Sequence, residues 1–360
     1  MTKRAAIWLL VMAIALAASC VFGDILTVKH AHGELTLKGL IQTYYGMYED
    51  DALVDGFDMN RVRLGVEGNV YDKVFFNLEF DVNTSGNGLK DAYITFKHIP
   101  HVDLSFGQMY KPATYESLTS SRKLPFILYA VPTQYMRSNN VSNRDIGAKV
   151  TFHLEKDDYT FITLEGGVFN GAGANTSDNN DQKDWVLRAC LQPVKGVEVF
   201  GNYTYGTYGA KGLSILGVSS GHEPYQEYSA GLAIDYQGLD FVGEWIGMNT
   251  RYLPAGVGMV DPHERSWDMY GFYTHLGFKI DTGYDYFSEV EPIARYEYLD
   301  PNSNNHVIND LARLITCGLN VAIDKHYAKL QLNYIINLND SGPGRELADN
   351  VFLAQLQAAF

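Results

Sequence analysis

The chain has 360 residues, a formal net charge of −14 and 46% hydrophobic residues, with 25 Tyr, 34 Gly and 4 Trp. The acidic balance argues against nucleic acid as a partner, because phosphate binding needs a basic face. After the N-terminus no run approaches the ~20 apolar residues of a membrane helix, and the Tyr- and Gly-rich composition suits strands, turns and an aromatic surface.

Lys3 and Arg4 precede the apolar stretch Ala5 to Ala18, and Val21-Phe22-Gly23 ends in a small residue. This pattern predicts a secretory signal over residues 1–23 and a mature domain over 24–360. Ala17-Ala18-Ser19-Cys20 loosely resembles a lipoprotein cleavage site, although Ala17 stands where Leu is usual, so the mature start lies at Cys20 or Asp24. The mature domain keeps Cys190 and Cys317, which strand alternation puts on opposite faces, so no disulfide is expected.

From about residue 34 the pattern is period two, which alternates side chains between two strand faces. In Arg144 to Leu154, Ile146, Ala148, Val150, Phe152 and Leu154 point one way, and Asp145, Gly147, Lys149, Thr151 and His153 the other. Arg61 to Glu67 and Ala328 to Tyr334 repeat the scheme. About sixteen such segments of roughly nine to thirteen residues start near Glu34, Phe57, Val74, Leu89, Val102, Arg144, Asp158, Asp184, Gly196, Tyr225, Leu239, Ser266, Glu289, Asn309, His326 and Asn350. Short turns, such as Tyr71-Lys73, Lys156-Asp158 and Gln237-Leu239, alternate with long polar loops, such as Tyr110-Asn143, Gly209-Pro224 and Asn249-Arg265. That asymmetry predicts an all-β, transmembrane antiparallel β-barrel in the bacterial outer membrane, with lipid around it. The last segment puts Phe352, Ala354, Leu356, Ala358 and Phe360 on one face. Its terminal Phe360 resembles the signal that the barrel-assembly machinery reads.

In such a barrel the polar face lines water, so Arg61, Arg63, Lys97, Lys149, Arg188, Arg295 and Lys329 are expected in the lumen with Glu67, Glu79, Asp81, Glu165, Glu198 and Glu297. Inward Gly65, Gly147, Gly167, Gly271 and Gly277 suggest room. The Tyr110–Asn143 loop holds the apolar run Phe126 to Pro132, which is costly outside a membrane unless it packs on the barrel wall. It carries Lys111, Arg122, Lys123 and Arg137 against the single acid Glu116. An inward-folded third loop would then make an anion-preferring constriction from Arg61, Arg63, Lys111, Arg122, Lys123, Arg137 and Lys149.

Leu37 to Gln42, Asn60 to Gly68, Phe106 to Pro112 and Glu116 to Arg122 resemble segments of the phosphate-selective porin O and P family. The resemblance is clearest over residues 35–150. It implies a trimeric sixteen-stranded porin whose third loop folds inward, with lumen arginines and loop lysines drawing small anions such as phosphate through. Arg61 and Arg122 occupy basic positions of those motifs. Leu40 stands where the phosphate-specific members have an arginine, and Ser117 where they have a lysine. The expected function is passive diffusion of small hydrophilic solutes, with a non-conducting structural or surface-recognition barrel, or a non-selective or cation-preferring pore, as alternatives. No enzyme and no cofactor are expected: the ten His are scattered, no His–Ser pair shares a strand face, and no phosphate loop or metal-spaced His cluster occurs.

Overall fold

A computed structural model describes residues 27–30, 33–49, 53–83, 88–208, 214–215, 218–219, 223–250, 267–284, 287–303, 311–324, 327–339 and 350–360. The proposed signal, Cys20 and much of the longest predicted loops lie outside these residues.

The alternating segments fold as strands close to where the periodicity begins. In chain order they are β1 (Thr27–His30), β2 (Gly33–Tyr48), β3 (Gly56–Val70), β4 (Val74–Asp81), β5 (Leu89–Ile99) and β6 (Val102–Tyr110). Helices α1 (Tyr115–Leu118) and α2 (Val131–Ser138) interrupt the connection to β7 (Arg144–Lys156), which is followed by β8 (Tyr159–Phe169), β9 (Asp184–Val194) and β10 (Val197–Tyr208). A small separate hairpin, β11 (Ser214–Ile215) and β12 (Val218–Ser219), precedes β13 (Glu223–Tyr236), β14 (Leu239–Thr250), β15 (Trp267–Phe278) and β16 (Ile280–Tyr284). The chain closes with β17 (Phe287–Asp300), β18 (Ala312–Asp324), β19 (Ala328–Asn337) and β20 (Val351–Ala359).

Every pairing is antiparallel; successive strands pair except that β10 pairs with β13, past the β11–β12 hairpin, and β15 with β17, and β20 returns to β2 with Ala359 opposite Leu40 and Val351 opposite Tyr48. β15 and β16 both pair with β17 and act as one interrupted strand, so the closed barrel has sixteen strands. β1 continues the ladder on β2 just beyond the end of β20. Tight turns hold the short ends: Tyr71 and Asp72 both adopt positive φ (52° and 54°), as do Gln237 and Gly238 (51° and 85°). At Gln237-Gly238, between paired Tyr236 and Leu239, that conformation gives the two-residue hairpin the twist of its flanking strands. At the closing seam Phe360 exchanges backbone hydrogen bonds with Gly39 at 2.9 and 3.1 Å. Its ring fills the space where a Cβ on Gly39 would lie, 2.4 Å from ring atoms.

Burial is inverted relative to a soluble protein. Leu64, Ile94, Val150, Leu164, Leu187 and Trp245 are exposed, while Arg61, Arg63, Thr95, Arg188, Glu244 and Gln331 on the alternate positions are buried. Leaving a Leu-sized side chain in water costs about 1.5–3 kcal/mol. A band of them around a closed sheet is stable when hydrocarbon surrounds it, and closure leaves no unpaired strand edge in lipid. Cys190 and Cys317 are both free thiols, as the alternation predicts.

Candidate pore constriction

The segment between β6 and β7 is held by the polar faces of strands from all around the barrel. At its start Lys111 is fully buried, with Nζ 2.8 Å from Asp184 Oδ2. Arg188 Nη1 donates to the Ala113 carbonyl at 3.0 Å, and the Tyr115 N–H donates to Glu244 Oε1 at 2.9 Å. Further along, Gln42 Nε2 donates to the Ser121 carbonyl, Lys329 Nζ and Gln331 Nε2 to that of Leu124, and Asn320 Nδ2 to that of Pro125. Asn333 Oδ1 accepts the Ile127 N–H at 2.9 Å and Glu297 Oε2 that of Val131 at 2.7 Å. These side chains satisfy the irregular backbone, whose buried groups would otherwise each cost about 1–3 kcal/mol.

Arg295 clamps the middle. It donates to Glu116 at 3.1 Å, to Glu297 at 2.8 Å and to the Leu128 carbonyl at 3.1 Å, and lies 4.3 Å over the Phe126 ring. Burial pushes the Glu116 carboxyl above its ordinary pKa, although Arg295 and the Ala130 N–H pull it down. The apolar run is absorbed as the composition requires: Phe126, Ile127 and Ala130 are buried, and Met136 and Val141 join Phe200, Ile246 and Met248 in one cluster. The room predicted at Gly271 is taken by Pro132, whose ring carbons would meet a Cβ there at 2.9 Å. At Gly147 and Gly167 the Phe169 ring takes it, and at Gly65 the Lys38 side chain.

The seven cations of the expected site do not act as one group. Arg63 is paired with Asp81 at 3.4 Å and Glu79 at 3.5 Å, and Lys149 with Glu165 at 2.7 Å. Lys111 is a structural ion pair with no exposed surface, so the sequence expectation that it meets a solute does not carry over. Arg122 lines a cleft with Lys38, Arg63, Glu79 and Ser121, and Lys123 is exposed on a larger chamber. Arg61 and Arg137 share the Tyr129 ring, at 5.2 and 4.1 Å from its centroid. Arg61 donates to Gln42 at 2.7 Å and Arg137 to the Tyr110 hydroxyl at 3.2 Å. Among the described residues neither has a carboxylate partner. Lys97, expected in the lumen, is exposed and reaches over Phe75 at 5.2 Å.

Sequence reasoning missed Arg144, Tyr110 and Tyr129. Arg144 grips Asp91 with two hydrogen bonds of 2.9 Å and lies 4.0 Å over Tyr110, extending the stack of guanidiniums and phenols. It also missed the run of uncharged amides, Gln42, Asn320, Gln331, Asn333, Gln355 and Gln357, that faces the segment. Their period-two spacing on β19 and β20 was a signal available beforehand.

The family described as phosphate-selective porin O and P matches residues 37–208. Residues 37–208 belong to that porin family. Solved porins share the fold over nearly the whole chain. OmpF of Salmonella typhi, in complex with daunomycin, is 13% identical with TM-score 0.68 over 93% of this chain and 100% of its own. An anion-selective porin from Comamonas acidovorans is 14% identical with TM-score 0.59 over 91% and 100%. The outer membrane protein OmpT of Vibrio cholerae, in a trimer form, is 13% identical with TM-score 0.62 over 91% and 100%. No curated protein matches the sequence. Family and fold together make this an outer-membrane channel of bacteria. Within the porin the two departures from the phosphate-specific pattern are both buried: Leu40 at 5% exposure, and Ser117 at 0%, within 2.8 Å of Thr114 and 3.1 Å of Ser142 hydroxyls.

Proposed function

We propose that this porin passes small hydrophilic solutes by passive diffusion and prefers anions, with the 111–143 segment folded into the lumen as the constriction. The hydrogen bonds from that segment to the polar faces of β2, β9, β14 and β17–β19 support the inward fold, because those faces look onto the axis of a sixteen-stranded barrel. The observation that carries the anion preference is the pair Arg61 and Arg137 on Tyr129, since uncompensated charge in a narrow, low-dielectric passage sets selectivity. Arg63 and Lys149 add to it with their charge partly offset by Glu79, Asp81 and Glu165, and Arg122 and Lys123 add theirs from the segment. With Leu40 and Ser117 in place of basic residues, the permeants are small anions in general rather than phosphate alone. Lipid contact through the exposed apolar band, assembly through Phe360, and a homotrimer like that of the Vibrio cholerae protein complete the proposal, and a channel of this kind has no catalytic role. Single-channel recording tests it: stepwise conductance with a chloride-selective reversal potential is expected, while absent conductance supports a structural barrel and potassium selectivity a cation-preferring pore.

A further inference from the structure

On the short-turn side of the 111–143 segment lies a chamber of about 460 Å³. Tyr115, Thr119 and Lys123 to Pro125 line it from the segment, and β8–β10 and β13–β15 from the wall. Its volume falls within the ~300–1,000 Å³ range of small-ligand sites. Tyr115 and Tyr273 give it an aromatic lining. The Tyr115 ring is stacked on Phe200 at 4.8 Å and 18°, with its backbone N–H fixed by Glu244, so that surface is held in place before any solute arrives.

Most charges around this chamber are already satisfied. Lys279 pairs with Asp235 at 3.0 Å and Asp240 at 3.3 Å, His275 meets Asp240 at 3.0 Å, and Lys195 is bound to Asp158. Two are not. Among the described residues Lys123, on the segment, has no carboxylate partner, and Glu198, on β10, has only the Cys190 thiol at 3.7 Å. One free cation and one free anion therefore face the same space from the segment and from the wall.

We infer that this chamber docks a zwitterionic solute of amino-acid or dipeptide size, its carboxylate toward Lys123, its ammonium toward Glu198 and its apolar side chain on the aromatic lining. A purely anionic solute would meet Glu198 unshielded and a purely cationic one Lys123, whereas a zwitterion gains charge-assisted hydrogen bonds at both ends. The inference rests on the lumen being water-filled, as proposed above, and names a solute class for its inner vestibule.

The test is calorimetry on the detergent-solubilised full-length barrel with glycyl-leucine, acetyl-glycyl-leucine and glycyl-leucinamide, alongside block of chloride current by the same three. Glycyl-leucine is expected to bind about tenfold or more tightly than either singly charged analogue. Glu198→Gln should reduce it to the level of the acetylated peptide, and Lys123→Ala to that of the amide. No binding heat, equal binding of all three peptides, or an affinity unchanged in both variants overturns the inference. Peptide binding to a barrel that does not conduct would sink the channel function and leave this site standing. Chloride-selective conductance without peptide binding would do the opposite.

Discussion

Replacing Arg61 and Arg137 together by Gln removes the two guanidiniums that share Tyr129 without a carboxylate partner among the described residues. A unit charge about 4 Å from an ion is worth about 1 kcal/mol at the dielectric of water and about 4 kcal/mol at an effective dielectric of about 20. Arg61 is only 7% exposed, which places it toward the stronger end, while salt weakens the effect of the half-buried Arg137. Even at the water-like limit the two charges together shift an anion by about 2 kcal/mol and a cation by as much in the opposite sense. Since about 1.4 kcal/mol is tenfold, the chloride-to-potassium permeability ratio should fall by about tenfold or more. The zero-current potential across a planar bilayer in a potassium chloride gradient measures the ratio. The double variant should still migrate as a heat-modifiable barrel. A folded double variant whose ratio stays within about twofold of the native value would refute the assignment.

Lys111→Met should leave the permeability ratio within about twofold of native, because the lysine is sealed against Asp184, but should cost about 3–5 kcal/mol in urea unfolding for the buried carboxylate it strands. Arg295→Met strands Glu116 and Glu297 and should cost a similar about 3–5 kcal/mol. It should also turn steady single-channel current noisy, and an unchanged, quiet conductance would count against the clamp. Because burial raises the Glu116 pKa, its carboxylate takes up a proton at a higher pH than an ordinary glutamate does. Acidification should therefore neutralise Glu116, leave Arg295 less compensated and raise chloride selectivity, a pH response that Glu116→Gln should abolish. Gly39→Val places a side chain where the Phe360 ring sits, so the yield of heat-modifiable barrel in refolding should drop sharply, and native yield would show the seam tolerates it.

The barrel was legible in the sequence because strand alternation is a local property. Arg61 and Arg63 read as one face with Leu64 opposite, and they fold that way, since a period of two follows from the geometry of an extended chain. The alternation of short turns with long loops likewise marked where each strand begins. What each polar residue does was not legible. Seven cations looked equivalent along the chain, yet the fold seals Lys111 against Asp184, pairs Lys149 with Glu165 and leaves Arg61 and Arg137 on a shared ring. Those partners are chosen by how one segment lies across the barrel, through bonds such as Lys329 to Leu124 that join residues 205 positions apart. Sequence alone determined the strand faces and the closed sheet. Only the tertiary structure decided which charges remain uncompensated, because neutralisation depends on contacts a few ångströms long between groups that local periodicity cannot relate.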